Sequence, residues 1–429
     1  MNDYDGVEKE TRQSIEAIVE AVAKLNELPS NIDPKIAIQL FGKDIHASVS
    51  KIEQYFQDPF SHFLLHGLKI KERKLFELDY ARSGDYFHDF LDSFTRLLID
   101  KKLDLRQIDM SNLNQLFNQV KGKLEQDERF NIMFSHAKFN AIKTQMDEQL
   151  FRFIKFSQAQ QKRTKMTSIQ SEAVFGISPS PDQLKGFIYP LNSGGQLSIS
   201  GKIDRVDIAK TSNDTFLQIV DYKSGKKEFN VVDTYYGLDL QVLTYLSVAL
   251  SNYPDTKAFG AFYQPLIHSY TAFKEASMPD TFEAMEELQL SENIFNGFVS
   301  VDEEQLTYID SSIEVTNNSL VYPVKFKKGG LYNTFSRVFT EEELDILLKY
   351  VHMKFKQAAN QIQSGVIELK PFRENQYTTS LQPEYRVISG FDSTENYQAY
   401  REKTINKKNI IQEMLLELDE SGEDEEDDE

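Results

Sequence analysis

The 429-residue sequence contains no cysteine and no tryptophan. Without cysteine, the chain offers no thiolates for disulfides, zinc–thiolate sites or an iron–sulfur cluster. No apolar run approaches the roughly 20 residues that a membrane-spanning helix needs, and the N-terminal residues are acidic rather than basic and apolar. These absences argue against disulfide-rich secreted proteins and membrane-spanning proteins. They predict a soluble, cytoplasmic chain with no membrane association and no iron–sulfur cluster.

The chain is also poor in positive charge, with 48 Lys and Arg against 67 Asp and Glu, which gives a formal net charge of −19. Residues 419–429 carry nine acids and no base, and removing these nine charges leaves −10. Such a tail is expected to be disordered. An acidic body does not attract nucleic acid through its overall field, so any path for nucleic acid must be a local basic groove.

Two predicted strands carry the residues most informative about chemistry. Branched apolar residues around Asp204 predict the first strand, and a polar turn at 212–214 leads into a second strand at about 215–223. The two strands therefore form a hairpin. Because strand side chains alternate between faces, Asp221 and Lys223 share one face.

The hairpin is expected to bring Asp204 and Asp221 together beside the Lys223 ammonium. Two neighbouring buried carboxylates repel each other unless something neutralises them, and oxygen ligands suit Mg²⁺ or Mn²⁺. Such a metal polarises a phosphodiester and lowers the pKa of bound water, while a lysine orients the water or stabilises charge on the phosphate. The alternative interpretation is a hairpin with an ordinary surface Asp–Lys pair.

Three strings in this region, G-x-I-D-R-V-D, I-V-D-Y-K-S-G and L-Q-x-x-x-Y, resemble the RecB-like branch of the PD-(D/E)XK nucleases. The resemblance implies an α/β fold with a mixed sheet flanked by helices, enlarged by helical additions. It implies that Asp204 and Asp221 bind the metal and that both act in catalysis with Lys223. It also implies that Gln241 and Tyr245, which share a helix face at i and i+4, line the nuclease site near the metal or the nucleic acid.

A second motif precedes the hairpin, on a predicted amphipathic helix. The string G-D-Y-F-H-D-F-L-D resembles G-x-x-F-H-x-x-L-E of the same family, which implies that His88 is a metal ligand. Asp92, one turn further on, is either a partner that orients the imidazole or a polar flank. Glu172 resembles an acid that the family carries in a core strand, and no role is assigned to it.

The string S-V-S-K-I-E-Q-Y-F-Q-D-P-F-S-H-F resembles the nuclease region of AddB/RexB, the second subunit of the AddAB/RexAB helicase–nucleases of bacteria. The resemblance implies a Mg²⁺-dependent exonuclease, with Mn²⁺ as an alternative, that cuts single-stranded DNA 5′→3′ during double-strand break repair by homologous recombination. It implies an AddA/RexA-type helicase–nuclease subunit as the partner. ATP hydrolysis would belong to that partner, because Gly195 and Gly201 are spaced by five residues rather than the four of a P-loop.

The sequence departs from this subunit family in two respects. Many members place a Cys where Asp58 stands and three more near the C-terminus, where this chain has Ser380, Gln382 or Pro383, and Ser389. Packing or hydrogen bonds must therefore close the junction that a cluster closes in those relatives. The family also carries a long helicase-like region before its nuclease, whereas Met1 stands almost at the nuclease, so we expect a fragment, a split product or a shortened gene.

Two other functions remain open. The first is a noncatalytic module of the same complex that clamps DNA or supports assembly. The second is a stand-alone nuclease similar to Cas4 or to phage exonucleases, although those relatives are shorter and generally share the cluster cysteines. A metal titration would distinguish the noncatalytic module from a nuclease, because an absence of Mn²⁺ binding would favour the noncatalytic module.

Composition and periodicity divide the chain into five parts. The first strand of the nuclease core is predicted at 166–176, the last at 259–266, and a Thr340–Glu343 capping box is expected to begin a late helix. The parts are an N-terminal helix and linker (1–36), a helical part with the Gly84–His88 motif (37–166), the nuclease core (167–270), a helical and extended part closing the domain (271–392), and a helix with the acidic tail (393–429).

Overall fold

The fold is taken from a computed structural model. The predicted N-terminal helix, the acidic tail beyond residue 422 and the segment around Ser380 and Gln382 lie outside the described residues. The structure describes residues 28–70, 80–177, 183–266, 281–327, 330–331, 337–373, 385–394 and 396–422.

A mixed β-sheet of seven strands lies at the centre of the described part of the chain. The strands run in the order β1-β4-β5-β6-β7, and β2 and β3 also pair with β4. Two pairs, β1–β4 and β5–β6, are parallel, and the others are antiparallel. The mixed sheet confirms the predicted fold class. The strands are β1 (Ile45–Ser48), β2 (Thr167–Phe175), β3 (Ile188–Pro190), β4 (Gln196–Lys210), β5 (Thr215–Lys223), β6 (Lys257–Pro265) and β7 (Asn296–Val299).

The predicted hairpin is confirmed, since β4 and β5 pair in antiparallel register from Arg205–Val220 to Lys210–Thr215. The sequence predicted that the strands at 166–176 and 259–266 were the first and last of the core, and these limits of the sheet were wrong. Strand β1 lies before them and pairs with β4, and β7 lies after them and pairs with β6. Each of these two strands has only four residues, which is too short for alternation of side chains to be recognised in the sequence.

Helices cover both faces of the sheet, and those that are described include none long and apolar enough to cross a membrane. The predicted capping box is confirmed, because Thr340 and Glu343 each accept the other's backbone N–H at the start of α12. The helices are α1 (Pro34–Phe41), α2 (Val49–Gln57), α3 (Pro59–His62), α4 (Tyr80–Asp100), α5 (Met110–Leu124), α6 (Ala137–Gln161), α7 (Val231–Tyr235), α8 (Gln241–Asn252), α9 (Phe282–Glu292), α10 (Glu303–Ile309), α11 (Ser312–Thr316), α12 (Glu341–Gln363), α13 (Arg386–Ser389) and α14 (Ile410–Ser421).

Strand β5 separates two large hydrophobic cores. Leu217 and Ile219 pack into the core formed with α2, α8 and α12. Val220 and Tyr222 pack into the core formed with α4, α5 and α6. Each fully buried large apolar side chain contributes about 1.5–3 kcal/mol. Burial on both faces therefore fixes which way every residue of β5 points, including the polar residues at its end.

Arg401 joins the C-terminal part of the chain to the end of α2. Its guanidinium donates to the carbonyl oxygens of Phe56 at 2.6 Å, Gln57 at 2.9 Å and Lys370 at 2.6 Å. Asp58, the next residue, is buried and caps α3 by accepting the backbone N–H of Ser61. Arg401 thus ties the C-terminal part of the chain to the residues next to Asp58, whereas Ser380, Gln382 and Pro383 of the predicted junction lie outside the described residues.

Candidate active site

The middle of β4 and the end of β5 bring two buried aspartates and a lysine together. Asp221 is 2 % exposed, and its Oδ2 lies 2.6 Å from Lys223 Nζ. That buried oxygen accepts no hydrogen bond of normal geometry from the described residues. As predicted, Tyr222 points to the opposite face, where its hydroxyl accepts a hydrogen bond from Arg205. The sheet therefore presents Asp221 and Lys223 side by side.

Asp204 lies on the neighbouring strand and is held from two sides. Its Oδ2 accepts the backbone N–H of Tyr222 at 2.7 Å, which ties it to the β5 residue after Asp221. Its Oδ1 lies 3.4 Å from Nδ1 of His88. Helix α4 thus brings His88 to the same carboxylate that β5 holds.

A third acid completes a group of possible metal ligands. One donor atom each from His88, Glu172 and Asp204 lies within 4.8 Å of the others. Strands β2 and β4 juxtapose the two acids, because the register pairs on either side of them are Ser171–Arg205 and Ala173–Ile203. Glu172 also forms an ion pair with Lys202. Asp92 instead pairs with Arg96 one turn along its own helix, at 2.6 Å.

The backbone of Glu172 has a φ of 51°, in the left-handed region that residues with a side chain rarely adopt. Such a conformation costs on the order of 1–3 kcal/mol and persists only where its surroundings enforce it. The unusual backbone falls at the residue of β2 whose carboxylate lies near His88 and Asp204.

The electrostatics of the site follow from burial of several acids in one place. Burial and the charge of Asp204 raise the pKa of Asp221, Lys223 opposes the shift, and the net pKa is about 6. Burial also raises the pKa of Glu172, against the effect of Lys202. For His88, burial lowers the pKa, but the hydrogen bond and charge of Asp204 outweigh it and leave a net increase. A positive charge placed among these groups would be stabilised.

These residues fit a hard divalent cation. Carboxylate oxygens and one imidazole are suitable ligands for Mg²⁺ or Mn²⁺, and the mutual repulsion of the acids is relieved by the ion. Among the described residues Asp221 is not a member of the His88–Glu172–Asp204 group; its buried Oδ2 lies 2.6 Å from Lys223 Nζ, and its charge interacts with that of Asp204. Two of the three metal ligands predicted from the sequence, His88 and Asp204, thus lie in one group with Glu172, and the role of Asp221 as a metal ligand stays a prediction.

Gln241 and Tyr245 extend the site along α8. Lys223 Nζ donates to Gln241 Oε1 at 2.8 Å, and Gln241 Nε2 donates to the Tyr245 hydroxyl at 3.0 Å. Burial, and then the charge of Asp221, raise the pKa of Tyr245, so its hydroxyl stays neutral. The structure thus places both residues in one hydrogen-bonded chain with Lys223.

The sequence interpretation missed two features of the site. It assigned no role to Glu172, although its likeness to a family acid was a signal. It also gave Arg205 and Asp207 no role, although both lie inside the recognised string. Arg205 bonds to Asp207 and to the Tyr222 hydroxyl, all of them buried directly behind the aspartates.

A mixed sheet that brings acids and a lysine together on adjoining strands is typical of a nuclease-type domain. Residues 46–377 match the PD-(D/E)XK nuclease superfamily. The match covers more than half of the chain, and the chain belongs to this family.

Three bacterial relatives are similar along nearly the whole chain, and each is named as the B-type subunit of an ATP-dependent helicase/deoxyribonuclease. The relative from Enterococcus faecalis is 31 % identical over 92 % of this chain and 33 % of its own length. The relative from Pediococcus pentosaceus is 30 % identical over 92 % of this chain and 34 % of its own length. The relative from Listeria welshimeri is 30 % identical over 89 % of this chain and 33 % of its own length. The chain spans about a third of the length of the curated relatives it matches.

The geometry predicts that Glu172 contributes to metal affinity. We expect Glu172→Gln, which keeps size but removes charge, to weaken Mn²⁺ binding about tenfold or more, because one of three clustered donors becomes neutral. Asp92→Asn is the matched control, since Asp92 pairs with Arg96, and it should change affinity less than about twofold. Calorimetric titration with Mn²⁺ measures both. Equal affinities for the two variants would contradict the assignment.

Proposed function

We propose that this chain is a metal-dependent deoxyribonuclease domain that hydrolyses phosphodiester bonds, with Mg²⁺ as its metal and Mn²⁺ as a substitute. The observation that supports this proposal is the convergence of Asp204, Asp221 and Lys223 from adjoining strands in a partly enclosed site. Fold membership alone does not establish activity, but intact acids and an intact lysine at these positions favour catalysis over a module that only clamps DNA.

In this proposal His88, Glu172, Asp204 and Asp221 hold the metal. When bound, the ion supplies Lewis acidity toward the phosphate and lowers the pKa of a water ligand. Lys223 donates a hydrogen bond to a phosphate oxygen or to the attacking water, and so stabilises negative charge that develops there. Its ammonium is only partly exposed and is held between Asp221 and Gln241, so it is already oriented before substrate arrives.

The substrate and the complex are inferred from the relatives. Because they are named as B-type subunits of an ATP-dependent helicase/deoxyribonuclease, we propose that this chain degrades single-stranded DNA 5′→3′ together with an AddA/RexA-type helicase–nuclease subunit. The partner would hydrolyse ATP and deliver unwound DNA. The pathway would be double-strand break repair by homologous recombination.

A cleavage assay on end-labelled single-stranded DNA tests the function. The chain is incubated with Mg²⁺, alone and with the partner subunit, on substrates labelled at the 5′ or the 3′ end. We expect EDTA to abolish cleavage. When the strand is labelled at its 5′ end, we expect short labelled products from the earliest time points. DNA binding without cleavage and without Mn²⁺ binding would overturn the proposal in favour of a noncatalytic clamp.

A further inference from the structure

The first turn of α8 is capped by a residue from another helix. Its N-cap residue, Leu240, has no side-chain oxygen to accept the first backbone N–H groups. Glu53 on α2 replaces that cap, because its Oε1 accepts the N–H of Leu240 at 2.7 Å and of Gln241 at 3.1 Å. A carboxylate at this place satisfies unpaired donors and also interacts favourably with the positive end of the helix dipole.

The surroundings of Glu53 hold its carboxylate in place. Asp239 accepts the Tyr263 hydroxyl at 2.5 Å, and its Oδ1 lies 3.1 Å from Lys227 Nζ. Burial and the charge of Asp239 raise the pKa of Glu53, Lys227 opposes the shift, and the net pKa is about 7. Two acids and a lysine thus share a compact cluster directly beneath the first turn of α8. The buried carboxylate is tolerated because two amides and a cation face it.

The residue that Glu53 fixes is the one that holds the candidate catalytic lysine. The backbone N–H of Gln241 donates to Glu53, and the Gln241 side chain accepts a hydrogen bond from Lys223 Nζ at 2.8 Å. We propose that Glu53 is a positioning residue of the nuclease site, which sets the place of the Lys223 ammonium relative to Asp221 through Gln241. The proposal rests on the proposed function only where it concerns rates of cleavage.

If Glu53 only capped α8 and did not position Lys223, loss of its carboxylate would have a different effect. Loss of an ordinary N-cap costs about 0.5–2 kcal/mol of stability but leaves a distant site unchanged when the protein remains folded. Loss of a positioning residue lowers kcat in the folded protein, since displacement of a reacting group by about 1 Å can cost about 100-fold in rate. Substrate affinity is expected to change little, because Glu53 acts through Gln241 rather than by contacting the substrate.

Three variants distinguish these outcomes in the full chain. We expect Glu53→Ala to lower kcat on single-stranded DNA about 10- to 100-fold with KM within about threefold. Glu53→Gln keeps an acceptor oxygen at the same place and should restore kcat to within about threefold of the original. Thr281→Ala is the matched control, because it removes the cap of α9, where Thr281 accepts the N–H of Ala284.

The reactivity of the Lys223 amine can be measured independently of DNA cleavage. Amine-reactive labelling, read by mass spectrometry, compares Lys223 with the more exposed Lys226 as internal reference. We expect Glu53→Ala to raise the labelling rate of Lys223 about fivefold or more, as its oriented hydrogen bond is lost, and Glu53→Gln and Thr281→Ala to leave it unchanged.

Folded Glu53→Ala protein with unchanged kcat and unchanged Lys223 labelling would overturn the inference. If Glu53→Ala does not fold, Glu53→Asp takes its place, because the shorter side chain withdraws the cap while keeping the charge, and the same two null results would count against it. If the original protein cuts no DNA, the proposed function fails, but labelling of Lys223 still decides whether Glu53 positions it.

Discussion

Asp221→Ala is expected to reduce cleavage of single-stranded DNA about 1000-fold or more without unfolding the protein. Asp221 would contribute a charged metal ligand and also hold Lys223, so its loss affects both the metal and the ammonium. Contributions of several kcal/mol are typical of a metal that stabilises transition-state charge, and about 4 kcal/mol corresponds to 1000-fold in rate. Mg²⁺-dependent cleavage of end-labelled DNA measures the loss.

The fold of this variant should survive for a physical reason. Asp221 is buried next to Asp204, and a carboxylate in that environment is destabilising while no cation is bound. Its removal should therefore leave the melting temperature of the metal-free protein unchanged or higher, as followed by circular dichroism. Asp214→Ala is the control, because Asp214 lies at the other end of the same hairpin and pairs with the surface Lys257. Undiminished DNA cleavage by the Asp221→Ala variant would contradict the assignment of Asp221 to a nuclease site.

Arg205→Ala is expected to lower the free energy of unfolding strongly, by about 3–5 kcal/mol. Arg205 and Asp207 are 7 % and 2 % exposed and form an ion pair at 3.0 Å. Gln218 also donates to Asp207, and the Tyr222 hydroxyl accepts from Arg205. Removal of the guanidinium leaves a buried carboxylate whose charge is no longer paired.

A double variant separates the lost ion pair from lost packing. Arg205→Met combined with Asp207→Leu removes both charges while it keeps apolar volume, so it should be less destabilised than Arg205→Ala. Denaturant unfolding, with the midpoint and slope compared among the variants, measures the difference. A cost below about 1 kcal/mol for Arg205→Ala would contradict the view that the buried Asp207 carboxylate depends on the Arg205 guanidinium as its partner.

The sequence predicted the parts of the site that local patterns encode. Alternation and a polar turn define the β4–β5 hairpin, and therefore the shared face of Asp221 and Lys223. The recognised strings supplied His88, which the structure places beside Asp204. The metal and catalytic roles of these residues stay predictions, which metal titration and the cleavage assays test.

The remaining contacts depend on tertiary packing that no local pattern encodes. Glu172 reaches the site through its strand register and an unusual backbone angle, neither of which the sequence displays. Glu53 lies 187 positions from Leu240, whose N–H it accepts. Strand β1 is too short for periodicity, and its place in the sheet depends on parallel pairing with β4.

The hydrogen bonds from Arg401 to the carbonyl oxygens of Phe56 and Gln57 affect how far this domain can be shortened from its C-terminal side. Arg401 lies beyond residue 377, where the family match ends, yet it satisfies acceptors at the end of the helix that carries Glu53. A protein trimmed at the family boundary would retain the candidate metal ligands and lose this anchor. It would also lose Leu418 of α14, which is buried in the same core as Phe56, so we expect such a protein to be less stable than the full chain.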